Sequence, residues 1–220
     1  MTEGPPRDLS PTRWQGRHAA VGDLLEAYVG LPADDAPGAP SAALAEYLGV
    51  LRLVDPAGPS VTAVQLRRLL DEDGFGLSGP TGLAWPPVLD RRAWLATVAE
   101  LIESDSGSGP LGGIPATAWG WRRRFPQLFQ LFGGGFGEDF PLEYPDLPPV
   151  EAEARTLSHW LVGAPDAIRA RAVGELHELL ALRLDRTALE LALGALGRDV
   201  ELAPDPHVWL RRVVAYLEAA

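Results

Sequence analysis

Cysteine is absent from this chain, and so is lysine. Without thiols there are no disulfides and no thiolate metal sites, which fits a reducing compartment and makes the cytoplasm the expected location. No apolar run reaches the roughly 18 residues of a spanning helix, so no membrane association is expected. Residues 1–14, MTEGPPRDLSPTRW, lack the apolar centre of a secretion signal, so export is not expected.

Histidine is scarce. His18, His159, His177 and His207 are the full set, and no two stand at i, i+4. His177-Glu178 begins like the zinc-binding His-Glu-x-x-His, but Ala181 occupies the place of the second histidine, so no paired ligand face forms and no metal site is expected. His177 therefore reads as a helix-surface residue, and His159, beside Trp160, as a partly buried, hydrogen-bonded one. Gly133-Gly134-Gly135 follows a helix-like run, not a strand, and no Gly-Lys-Ser/Thr comes after it, so it reads as a helix stop and not a phosphate cradle. Ser78 lacks the Gly-x-Ser-x-Gly spacing of a nucleophile elbow. No catalytic set and no cofactor site emerge, and the expectation is a protein that is not an enzyme and acts through a surface.

What is present is enough apolar content, 46% of 220 residues, for one large core or two smaller ones. The net charge is −11, from 19 basic and 30 acidic residues. That sign opposes nucleic acid and anionic membranes and favours a basic partner. Arg122-Arg123-Arg124, interleaved with Trp119, Trp121 and Phe125, is a local exception. It reads as a helix start packed against acidic groups, because three arginines do not reverse the field at range.

Breakers divide the chain. Residues 1–13 read as a loose tail, 14–104 as a first helical unit, 105–121 as a Gly/Ser/Pro-rich linker and 122–220 as a second helical unit. Apolar residues recur at helical spacing in each. Ser41 and Ser60 are candidate N-caps in the first unit and Asp166 in the second; Gly163 and Gly197 are candidate helix ends. The two closing helices share one pattern: Asp90, Trp94, Leu95, Val98, Ile102 and Glu103 are spaced as Asp205, Trp209, Leu210, Val213, Leu217 and Glu218. Earlier segments align in the same order. Leu24-Leu25…Tyr28 is set against Leu128-Phe129…Phe132, Leu44…Tyr47-Leu48 against Leu157…Trp160-Leu161, and Leu66…Leu69-Leu70 against Leu176…Leu179-Leu180. The second half has an extra helix near 186–196. Leu83–Trp85 and Val200–Leu202 are candidate short extended pieces. The expected fold is all-α, two degenerate copies of a helical-bundle unit in tandem, with Trp94 and Trp209 both buried.

Three acidic clusters are candidate binding surfaces. Glu138, Asp139 and Glu143 lie among Phe136, Phe140 and Tyr144, a mixture suited to an interface. Asp34 with Asp35, and Asp71-Glu72-Asp73 at a helix C-terminus, where the macrodipole disfavours acids, are the others.

Residues 125–220 resemble the helical immunity proteins of bacterial contact-dependent growth inhibition systems. The resemblance starts at Phe125-Pro126-Gln127-Leu128, runs to Gly133, continues through Phe136-Gly137-Glu138-Asp139-Phe140, and takes in helices like Leu157–Leu161 and Asp166–Leu182, the Leu196-Gly197 turn and the ending Trp209-Leu210. At Gly135, Gly137 and Phe140 the chain departs from the family's usual Tyr, His and Trp. The resemblance implies a cytosolic protein, free of cofactors, that binds and blocks a toxin domain, commonly a basic nuclease. The competing expectation is a helical adaptor or scaffold with no toxin partner.

Overall fold

The computed structural model describes residues 11–72, 85–105, 113–137, 140–198 and 205–219. Its regular elements are helical, an all-α fold, and the chain divides into two compact units, Met1–Gly120 and Trp121–Ala220. Among the described residues no helix is long and apolar enough to cross a membrane.

In the first unit, α1 (Pro11–Ala27) kinks at His18 (φ −133°, ψ 33°), so it is two short helices in series. Trp14 lies before the kink, and Val21, Leu24, Leu25 and Tyr28 follow it, all buried. α2 (Ala42–Val54) is N-capped by Ser41, whose Oγ accepts the Leu44 N–H at 3.2 Å. α3 (Gly58–Asp71) starts two residues before Ser60, with Pro59 in its first turn, so Ser60 is an exposed first-turn residue and not the cap. α4 (Arg91–Ser104) is N-capped by Asp90, which accepts from Ala93 at 3.0 Å. α3 packs against α4, α1 and α2, and α1 also packs against α2.

The segment read as a linker is not a free spacer throughout. Glu46 on α2 accepts the backbone N–H groups of Ala116 and Thr117 at 3.0 and 3.1 Å and the Thr117 hydroxyl at 2.9 Å. Trp119 is buried with its ring 4.9 Å from that of Tyr47. One carboxylate taking three donors, together with a buried indole, outweighs the local freedom that glycine and proline suggest. Residues 106–112 of that segment lie outside the described residues.

The second unit contains most of α5 (Ala118–Arg124), then α6 (Pro126–Gly135), α7 (Phe140–Glu143), α8 (Pro149–Gly163), α9 (Asp166–Ala181), α10 (Arg186–Ala195) and α11 (Pro206–Glu218). α9 packs against α11 and α6, α8 against α11 and α6, and α10 against α11. α10 is the extra helix expected near 186–196, and its own cap is Asp185, which accepts from Ala188 at 2.8 Å. Gly197, at φ +90°, closes it; its Cα-side space is filled by the Gly133 backbone, so a side chain there would collide. Asp166 is the first residue of α9 and not its cap, a place taken by Pro165. Arg122, Arg123 and Arg124 form the last turn of α5 and not a helix start; Arg124 does pair with an acid, Glu178, at 2.7 Å, but Arg122 lies 5.0 Å over the Phe129 ring.

A few local contacts recur in the two units, although α2 packs on α1 and α3 whereas α8 packs on α6 and α11. Trp14 and His18 face each other across the α1 kink with ring centroids 5.3 Å apart, and Trp121 and Phe125 do so at 5.8 Å across the break between α5 and α6, where Phe125 has φ −124° and ψ 62°. Each break leaves N–H groups free, and a later helix of the unit, α3 in the first and α9 in the second, answers them. Gln65 accepts from Ala20 at 2.9 Å; Glu175 accepts from Gln127 at 2.9 Å and Leu128 at 3.0 Å. Arg67 ties α3 to Glu103 of α4 at 2.9 Å, and His177 ties α9 to Glu218 of α11 at 2.8 Å. Trp94 and Trp209 are both buried, as their shared spacing predicts.

Burial also moves the register expected for the earlier helices. Leu24 and Leu25 match the buried Leu131 and Phe132, not Leu128 and Phe129, because Phe129 faces outward under Arg122. The spacing of the buried Ala43, Leu44, Tyr47 and Leu48 of α2 recurs in Ala152, Glu153, Thr156 and Leu157 of α8. Trp85 is in no strand, and Leu83, Ala84 and Val200–Leu202 lie outside the described residues.

Candidate interaction surface

The acidic residues singled out in the sequence fall into three structural situations. Asp35 is part of the fold and not a free surface acid. Its carboxylate accepts from the Tyr28 hydroxyl at 2.7 Å, the Ser41 backbone N–H at 2.8 Å and Trp94 Nε1 at 3.0 Å, so it closes the loop between α1 and α2 onto α4. Burial, with the carboxylates of Asp35 and Asp34 nearby, pushes the Tyr28 phenol far above its ordinary range, so it is a permanent donor. Asp34 is exposed.

Asp71 is exposed at the end of α3. Glu72 is half-buried and turned inward, 3.3 Å from Arg17 and 3.6 Å from His18 Nε2. Arg17 thus offsets the unfavourable placement of acids at a helix C-terminus. His18 is fully buried, and burial lowers its pKa, with Glu72 opposing the shift. Asp71 and Glu72 line a groove of about 1080 Å³ that also holds Arg17, Arg52, Arg67 and Arg68 over a floor that includes Ala63 and Ile102. Arg52 and Arg67 in that groove are paired with Asp105 and Glu103. The patch is therefore charge-balanced and not the acidic surface expected from Asp71-Glu72-Asp73. Asp73 lies outside the described residues.

The third situation is the α6–α8 connection. Phe136 and Phe140, expected as exposed anchors, are core residues at 0% and 7% exposure. Phe136 meets the Trp209 ring edge-on at 5.7 Å, Phe140 packs on Phe136 at 5.3 Å, and Tyr144 meets Phe140 at 6.5 Å. The ladder runs from the fully buried Trp209 to the half-buried Tyr144, and only the last rung reaches the surface. Large aromatics placed just after a helix end turn back over the core because burying each ring is worth more than its exposure. Glu143 is exposed, as are Asp146 and Glu151 beside it. Glu138 and Asp139 lie outside the described residues.

Two shallow grooves flank the outer face of α8, and Tyr144 opens onto the first. One, about 410 Å³, is lined by Tyr144, Arg155, Ser158, His159 and Val162. The other, about 420 Å³, is lined by Ser158, Leu161, Val162, Tyr216 and Ala219. Ser158 and Val162 form the ridge between them, and the Ser158 and Tyr216 hydroxyls are 2.5 Å apart. Val162 is 90% exposed. His159, expected to be partly buried, is exposed here, whereas His177 is on the surface as expected.

Sequence reasoning missed Arg155, Ser158, His159 and Val162 as a set. Their i, i+3, i+4, i+7 spacing is the signal, since it places all four on one helix face, but the same spacing describes any outward face. Among the described residues no group of three or more His, Asp or Glu side chains is arranged to hold a metal ion. No family model matches this chain, and neither a curated protein nor a solved structure matches it.

Proposed function

We propose that this chain is an immunity protein that binds a basic toxin domain in the cytosol and blocks it, in the manner of the helical immunity proteins that residues 125–220 resemble. The observation that carries the reading is the surface around Tyr144. Three exposed acids, Glu143, Asp146 and Glu151, lie close in sequence to Tyr144 and to the start of α8, whose outer face bears two adjoining grooves lined by Tyr144, Arg155, Ser158, His159, Leu161, Val162, Tyr216 and Ala219. Acids of this kind steer a cationic partner and set its orientation, while the partly buried Tyr144 and Tyr216 and the exposed Val162 supply the area that holds it. The overall charge of −11 acts in the same direction.

The two units are read as copies of one ancestral helical unit. The support is a set of residues in similar roles: Gln65 and Glu175 at the helix break, Arg67–Glu103 between α3 and α4 and His177–Glu218 between α9 and α11, Asp90 and Asp205 as caps. The adaptor reading is favoured by one observation, the charge-balanced groove of the first unit, which would suit a second, different partner.

Co-expression tests the function. The gene is placed in a host that produces, in turn, each secreted-toxin domain encoded in the source genome, and growth is followed. Rescue from one toxin and not from the others is expected. Growth arrest by every toxin despite abundant folded protein contradicts the reading.

A further inference from the structure

α1 is fastened unequally on the two sides of its kink. Past His18, the Ala20 N–H donates to Gln65 of α3 at 2.9 Å, and the Ala20 carbonyl accepts the Tyr47 hydroxyl of α2 at 3.2 Å. Before it, Trp14 is buried beside the His18 ring, and Arg17 reaches Glu72, at the end of α3, at 3.3 Å. His18 sits at the junction of the two halves with 0% of its surface exposed. Among the described residues neither of its ring nitrogens has a hydrogen-bond partner. The carboxylate of Glu72 stands 3.6 Å from Nε2, beyond hydrogen-bonding distance, and is shared with Arg17. A neutral imidazole tolerates this place better than an imidazolium does, because the charged ring has two N–H groups to satisfy and a charge to desolvate.

We propose that His18 is a proton-operated latch: uncharged, it lets the Pro11–Arg17 half of α1 dock with Trp14 buried, and on taking a proton it releases that half while the rest of the unit stays folded. The latch stands whether or not the chain binds a toxin. Burial is the largest influence on the imidazole and lowers its pKa; Glu72, at the end of α3, opposes the shift, and Arg17 of α1 and Arg68 of α3 add to it. α2, which also packs on α1, brings the Tyr47 hydroxyl to Ala20. In the released half His18 meets water and takes its proton at about the ordinary 6.5. The docked form is therefore fully favoured above that pH. Below it, each further unit shifts the balance toward release by up to about tenfold, until the lower pKa of the docked form is reached. Release also alters the large groove of the first unit. Four arginines and four carboxylates line it, Arg17 and Glu72 among them, and without Arg17 three arginines face four carboxylates. A charge-balanced surface then becomes an acidic one, which suits a cationic partner.

The latch is tested by nuclear magnetic resonance on the full chain as the pH is lowered from about 8 to about 5, a span that brackets the ordinary histidine value. The Trp14 indole N–H and the backbone amides of Trp14 to Arg17 are expected to move together to the positions of an unstructured chain. They should share one midpoint, below about 6.5, with the His18 ring protons. The amides of Leu24 and Leu25, past the kink and buried, should hold their folded positions. His18→Phe, a ring of similar size that takes no proton, should keep Trp14 in its folded position throughout. Trp14 still buried at the lowest pH, movement that persists in His18→Phe, or loss of the Leu24 and Leu25 amides at the same midpoint would each overturn the proposal. Should His18→Phe not fold, the wild-type titration decides: a His18 midpoint at or above about 6.5 would overturn it as well.

Discussion

Trp94 donates its indole N–H to Asp35 at 3.0 Å, and this bond connects the closing helix of the first unit to the loop that follows its first helix. The same carboxylate holds the Tyr28 hydroxyl, whose ring meets the Trp94 ring edge-on at 5.0 Å. An acid that looks like surface charge in the sequence is thus the fastener of a buried aromatic pair.

Asp35→Ala should therefore destabilise the protein by about 3 kcal/mol or more, because it leaves a buried hydroxyl and an indole N–H without their charged acceptor. Asp34→Ala, one residue away and exposed, should fall within about 0.5 kcal/mol of wild type. Urea denaturation of the two variants checks the contrast. Equal stabilities would mean that the Asp35 bonds carry no weight.

Trp209 is fully buried against Phe132 and Phe136 with Arg198 over its ring. Trp209→Ala should lose roughly 3–5 kcal/mol, a large share of the roughly 5–15 kcal/mol that stabilises a domain. A thermal melt that matches wild type would contradict the core assignment.

Glu175 contributes a pH dependence of its own. Burial pushes its carboxyl up to about 7, against the opposing effect of the Leu128 and Gln127 N–H groups it accepts from. Its folded pKa is above its unfolded value, so between about 4.5 and about 7 the folded state holds a proton that the unfolded state has released. The stability that Glu175 contributes therefore falls as pH rises through that window and levels off above it, opposite in sign to the contribution of buried His18, whose lowered pKa favours folding at higher pH. Glu175→Gln keeps the acceptor oxygen, as Gln65 does in the first unit, and removes the charge. The variant should match wild type near pH 4.5 and be more stable above pH 7, as denaturation curves across this range would show. A variant less stable than wild type at pH 8 would mean that the charged form is the better partner for the α6 N-terminus.

Much of the fold was legible in the sequence because it is written in short-range signals. Ser41 caps α2, Gly163 and Gly197 end their helices, and the matched closing helices bury Trp94 and Trp209 as their spacing implies. The register of the earlier helices was not legible. Leu128, Phe129, Leu131 and Phe132 are all apolar, and only packing shows that Phe129 is the one turned outward. Ser60 and Asp166 have the side chains of caps but stand inside their helices, where Pro59 and Pro165 set the start. The candidate site was partly legible: Tyr144 and Glu143 are on the surface as expected. Phe136 and Phe140 sit in an equally acidic sequence context, and what separates them from Tyr144 is their distance from Trp209, a residue more than sixty positions away.

The central claim is that the acidic surface beside α8 holds a basic toxin domain. The direct measurement is the affinity of the purified chain for the toxin domain that it rescues, by calorimetry at low and high salt, for wild type and for a Glu143→Arg, Asp146→Arg double variant. Both positions are exposed, so the double variant should melt as wild type does. The account predicts that wild-type binding weakens with salt, and that the charge-reversed variant binds at least about tenfold more weakly at low salt, with the difference shrinking at high salt as screening removes the repulsion. Equal affinity of the two proteins at low salt, or tighter binding by the charge-reversed variant, would contradict it.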